Sequence, residues 1–93
     1  MSKDSDFYAK LRLTLEETTT FPTDYMYKFI IPTSKNSFTT IEKTFDNLGA
    51  VIKTKQSKNG KYTSLTVYVK MKSVEEIIDK YKEVSKVKGL ISL

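Results

Sequence analysis

Cysteine, histidine and tryptophan are all missing from the 93 residues of this chain. Without thiols or imidazoles there is no disulfide, no thiolate or imidazole metal site, no Cys-His pair and no Ser-His-Asp triad. Glycine is scarce as well. Gly49, Gly60 and Gly89 stand too far apart for a phosphate-cradling loop, and each falls where backbone geometry explains it. No apolar run exceeds three residues, as at Phe29-Ile30-Ile31, far short of a membrane span. The start, Met1-Ser-Lys-Asp-Ser-Asp-Phe, has acids where the apolar core of a secretion leader would begin. A cytoplasmic protein is therefore expected. Carboxylates, Lys, Tyr and Ser/Thr remain for chemistry, but no convergent set of them shows. The expectation is no enzyme activity, no catalytic residue, no metal and no cofactor.

What is present suits one soluble globular domain. Apolar residues make up 39% of the chain and charged residues 29%, too apolar a mix for disorder. A chain this short buries roughly 60–65% of its unfolded surface, so its fold must be compact and regular.

The charge is +5, and its distribution says more than its sum. Residues 1–20 set Lys3, Lys10 and Arg12 against Asp4, Asp6, Glu16 and Glu17. Between Asp46 and Glu75 no acid occurs, only Lys53, Lys55, Lys58, Lys61, Lys70 and Lys72. Arg12 is the one arginine among the 16 cations. Lysine is a hydrated point charge without the fork that reads phosphates or guanine edges. Solubility and edge-strand protection explain the basic hairpin Lys53, Lys55, Lys58 and Lys61 better than a nucleic-acid footprint does.

Periodicity sets out the elements. Residues 1–6 should fray, and Phe7, Tyr8, Leu11 and Leu15 then mark one face of a helix over 7–17, with Asp6 as its N-cap. Thr18-Thr19-Thr20 should end it. Asp24–Ile31 alternates as a strand, with Tyr25, Tyr27, Phe29 and Ile31 facing one way and Met26, Lys28 and Ile30 the other. Phe38, Ile41, Phe45 and Leu48 predict a helix capped by Ser34 or Ser37 and ended by Gly49. Ala50–Ser57 and Lys61–Lys72 read as strands joined at Asn59-Gly60, a pair suited to a two-residue type I′ turn. Ser73-Val-Glu-Glu76 is a capping box opening the last helix, and Val87–Leu93 a short terminal strand. After the first helix the order is βαββαβ. Right-handed crossovers fold it into an α+β, ferredoxin-like, four-stranded antiparallel sheet of order 4-1-3-2, two helices on one face and an extra N-terminal helix. The division is then 1–20, tail and amphipathic helix, and 21–93, the ferredoxin-like domain.

The sheet face turned away from the helices is the candidate binding surface. Lys28, Tyr62, Ser64 and Tyr68 share it on adjacent strands and are expected to form one patch. RNA-binding sheets of this topology stack bases on aromatics of strands one and three. Here strand one offers Met26 and Ile30 where a ring would be wanted. The plainer alternative is that Tyr62 and Tyr68 are half-covered by the N-terminal helix or a second subunit. Strand Gly89–Leu93 carries no charge and would pair across a symmetric homodimer. Glu75, Glu76 and Asp79 fit a solvated first helical turn, where the macrodipole favours acids.

Phe21-Pro22-Thr23-Asp24-Tyr25-Met26-Tyr27-Lys28 and Ser57-Lys-Asn-Gly60-Lys-Tyr62-Thr-Ser64-Leu65-Thr66 together resemble the YbeD-like family of small bacterial proteins. The resemblance covers about residues 20–93, and the leading helix looks like an extension found in some members. It implies a ferredoxin-like βαββαβ domain similar to ACT-type regulatory domains, in a family largely of unknown function with one member named as a lipoate regulatory protein. By position, Phe21, Pro22, Tyr25, Tyr27, Lys28, Ser57, Gly60, Tyr62 and Ser64 match its pattern. The resulting expectation is a regulatory or accessory module that binds an unidentified protein partner or a small acidic ligand, with single-stranded nucleic acid as the second reading and no membrane partner.

Overall fold

The structure, a computed structural model, describes residues 3–93. Helix α1 spans Lys3–Thr18, strand β1 Thr23–Pro32, helix α2 Lys35–Thr44, strand β2 Val51–Gln56, strand β3 Tyr62–Met71, helix α3 Val74–Val84 and strand β4 Ile91–Ser92. The four strands form one antiparallel sheet in the order β2-β3-β1-β4, which from the opposite edge reads 4-1-3-2. Every residue of β1 pairs with β3, from Thr23 opposite Met71 to Pro32 opposite Tyr62. β2 lies along the far side of β3, from Val51 opposite Tyr68 to Gln56 opposite Thr63. β4 reaches only Phe29 and Ile30, and Leu93 N–H adds one bond to the Lys28 carbonyl at 2.9 Å.

Alternation sorts these strands into two faces. Tyr27, Phe29 and Ile31 of β1 and Leu65, Val67, Val69 and Met71 of β3 are buried. They pack under Ile41 and Phe45 from the α2 segment, Ile77, Ile78, Tyr81 and Val84 of α3, and Leu15 of α1. α3 starts where Ser73 accepts the Glu76 N–H at 3.1 Å, and α2 where Ser34 caps the Ser37 N–H. α1 lies along α3: Phe7 meets Tyr81 edge-on at 5.8 Å, Lys82 Nζ sits 5.5 Å from the Tyr8 ring, and Arg12 pairs with Glu75.

Several sequence expectations need correction. α1 begins at Lys3, so Asp6 lies inside the helix rather than capping it; Met1 and Ser2 of the supposed frayed tail lie outside the described residues. α2 stops at Thr44, because Asn47 as well as Gly49 takes positive φ and the chain turns before Gly49 is reached. The β2–β3 connection is not a two-residue type I′ turn, since Gly60 alone has positive φ there. Gly60 N–H instead donates to the Ser57 carbonyl at 2.9 Å, and Ser57 N–H to the Tyr62 carbonyl at 2.8 Å. The capping box is half made, for Glu76 Oε1 has no partner. The terminal strand is two residues long, and Gly89, at φ 79°, ends its approach; a Cβ there would sit 2.9 Å from Pro32.

Candidate functional site

The second face of the sheet carries no helix. Read across the strands, its rows are Val51–Tyr68–Met26, Lys53–Thr66–Lys28 and Lys55–Ser64–Ile30–Ile91, with Tyr62 opposite Pro32 at the far end. Lys28, Tyr62, Ser64 and Tyr68 are therefore on one exposed face. They follow one another in a row along it. Tyr62 starts the β3 face and Tyr68 stands one face position before its end at Lys70, the two roughly 20 Å apart at about 3.3 Å per residue. Lys28 lies between them, opposite Thr66.

Nor does α1 reach this face, because its apolar side is used against α3 and the core. Met26 (49%), Tyr62 (50%) and Tyr68 (43%) accordingly stay half open to solvent. Val51, Ile91 and Leu93 are exposed as well. The sequence alone did not single out Val51, which becomes part of the face only once the register places it opposite Tyr68.

Each tyrosine belongs to a hollow. Tyr68 helps line one of about 370 Å³ with Met26, Leu48, Gly49 and Lys70, at the end of the sheet where β1 begins. Tyr62 lines another of about 240 Å³ with Ile30, Lys55 and Ser64. Lys53 Nζ stands 5.7 Å from the Tyr68 ring centroid, within cation–π reach. Lys53 and Lys55 lie on the edge strand β2, while Lys58 and Lys61 are carried by the turn, all four exposed. Asp24, opposite Lys70, is the single carboxylate on this face among the described residues.

The motif residues of the hairpin turn out to build it. Ser57 Oγ accepts the Tyr62 N–H and donates to Asn59 Oδ1, both at 3.1 Å. Asn59 Oδ1 also accepts the Lys61 N–H at 3.1 Å. Ser64 Oγ donates to the Lys55 carbonyl at 3.2 Å, tying β3 to the edge strand. Ser57 and Gly60 thus carry a turn, and Ser64 has its proton engaged in the hairpin.

Tyr25 and Tyr27 lie beneath the helices, against Tyr81 of α3. Tyr27 donates to the Ile77 carbonyl at 3.0 Å, and the Tyr25 and Tyr81 hydroxyls are 2.9 Å apart. Burial, reinforced by Tyr81, Tyr25 and Glu76, pushes the Tyr27 phenol above its ordinary range. Burial, followed by the Tyr25 hydroxyl, does the same to Tyr81. On the surface, the hydrogen bond from Arg12 holds the Glu75 carboxyl below the usual carboxylate range. Among the described residues no three carboxylates come together to hold a metal ion, and no helix is long and apolar enough to cross a membrane.

A four-stranded antiparallel sheet with helices on one face and a basic, half-apolar, uncovered face on the other defines an α+β domain with an open sheet. Over residues 16–92 the chain matches the family described as protein of unknown function (DUF493), and it belongs to that family. The match is consistent with the YbeD-like resemblance carried by the strand opening and the hairpin. It starts within α1, so most of that helix precedes the shared region. No curated protein and no solved structure matches the chain.

Proposed function

We propose that this is a non-catalytic regulatory or accessory module, a ferredoxin-like and ACT-like domain of the bacterial cytoplasm. It acts by holding a protein partner or small acidic ligand on the open sheet face. One observation carries the reading: the face keeps Met26, Val51, Tyr62, Tyr68, Ile91 and Leu93 exposed while α1, which had apolar surface to spare, packs elsewhere. Large apolar side chains gathered on one side of a soluble domain mark an interaction surface. Lys28, Tyr62, Ser64 and Tyr68 are the residues assigned to it. A second copy could pair weakly along the exposed β4 edge.

The second reading, single-stranded nucleic acid on the same face, draws on Lys53 lying over the Tyr68 ring and on the run of lysines through the hairpin. Affinity capture from a lysate of the source organism, with and without nuclease, separates the two. Partners that resist nuclease and are lost with Met26→Ala/Tyr68→Ala, a variant expected to keep its melting temperature, support the module. Retention by that variant refutes it, and loss of all partners on nuclease treatment promotes the nucleic-acid reading.

A further inference from the structure

The hollow beside Tyr62 lies on the open face, and the one beside Tyr68 lies at the sheet's end, where Asp24, Tyr25, Leu48 and Val69 also line it; positive charge separates the two. Lys28 and Lys53 flank Thr66 in one row and Lys55 flanks Ser64 in the next, so a lysine band crosses the sheet between Tyr68 and Tyr62. Building on the open-face reading, we infer that the occupant is an acidic amphipathic helix of a protein partner. Two apolar anchors would seat beside Tyr68 and Tyr62, with carboxylates between them over Lys28, Lys53 and Lys55.

Three features of the face select this occupant. Its cations face only Asp24, itself opposite Lys70, so a neutral or basic partner would leave the lysine band uncompensated while an acidic one completes it. Four of its six large exposed apolar side chains, Met26, Val51, Ile91 and Leu93, have no ring. They give a nucleobase nothing to stack on but suit aliphatic side chains. The strand-one positions where a ring would hold a base are Met26 and Ile30, with Lys28 between them at the centre of the sheet.

The backbone groups in the middle of the sheet are already paired between strands. Recognition on the face is therefore through side chains, and a helix laid there makes a third layer against the helices opposite. The anchors are roughly 20 Å apart along β3. A helix spans that distance in about 14 residues at 1.5 Å each, nearly four whole turns, which returns both anchors to one side.

The test uses the full chain, labelled with 15N, and a designed helical peptide of about 20 residues. The peptide carries leucines at the two anchor positions and glutamates on the same side between them. A matched peptide with Gln for Glu and an oligouridylate are the competing probes. The expected result is amide shifts at Met26, Lys28, Val51, Lys53 and through Tyr62–Tyr68, with affinity at least about tenfold lower for K28E/K53E/K55E. Equal binding of the Gln peptide, tighter binding of the oligouridylate, shifts on another surface, or no binding at millimolar peptide each overturn the acidic-helix proposal. The broader reading is judged separately. If Met26→Ala/Tyr68→Ala still loses captured partners, the open face stands and only the helix is refuted. If it retains them, both fall.

Discussion

The two faces of β1 and β3 are made from the same strands, residue by alternating residue, and share almost nothing else. Phe29 is fully buried between tyrosine rings, while its neighbours Lys28 and Ile30 turn to a face that keeps Lys and exposed aliphatics side by side. The inner face is packed and uncharged. The outer face mixes lysines with exposed aliphatics and is not apolar enough to be a second core. The period of two assigns a side chain to a face, but only packing decides how much each face stabilises.

The sharpest way to break the comparison is to remove one side chain from each face. Phe29→Ala should cost about 3–5 kcal/mol in urea unfolding. Met26→Ala, a few strand positions away on the other face, should stay within about 0.5 kcal/mol. An equal loss would mean that the outer face is structural after all.

Tyrosines allow a finer version. Tyr27→Phe removes a buried hydrogen bond to Ile77 and should cost about 1 kcal/mol; Tyr62→Phe should cost nearly nothing. The raised Tyr27 and Tyr81 values also fix a pH window. A phenol held protonated by the fold contributes stability that is complete below its unfolded value near 10, and that contribution falls as pH rises from there toward the folded value. The melting temperature should drop above about pH 10. Absorbance at the phenolate band should then show two tyrosines ionising only with unfolding, and one of them should vanish in Tyr27→Phe.

Ser64→Ala probes whether the outer face has any structural stake, since its hydroxyl ties β3 to Lys55. The bond is exposed, so a loss under about 0.5 kcal/mol is expected. The smallest effect is Arg12→Ala. Glu75 lies at the surface and its carboxyl is lowered chiefly by the Arg12 hydrogen bond. Any help from the pair exists above the carboxylate range and is lost as pH falls through the lowered value. NMR titration should show the Glu75 value rising in Arg12→Ala while the melting temperature stays put.

Much of this architecture was legible before any coordinates. Tyr25, Tyr27, Phe29 and Ile31 reveal their common face by spacing alone, and the βαββαβ order with right-handed crossovers leaves few sheets to choose from. α1 was harder to place, because an amphipathic helix carries no mark of which partner buries it. Its docking on α3 depends on Tyr81 and Glu75, more than sixty residues away. The candidate site was half legible. Parity placed Lys28, Tyr62, Ser64 and Tyr68 on one face, but the company of Val51 needed the register. Motif spacing could not separate a turn from a contact either. Gly60 already read as a turn residue, but Ser57 fitted both roles until its hydrogen bonds to Asn59 and Tyr62 showed that it builds the turn.

The pairing of β1 with β3 has a consequence for how the chain assembles. Strands β2 and β3 are neighbours in sequence and close through the Ser57–Gly60 turn. β1 must return to β3 across roughly thirty intervening residues even at its nearest pair, Pro32 with Tyr62, at a substantial closure entropy. The edge that β1 joins is supplied by the hairpin, so folding from the turn inward is the expected order, with lower φ-values at Phe29 than at Val67. On that expectation β1, one of the two central strands of the finished sheet, is the later arrival.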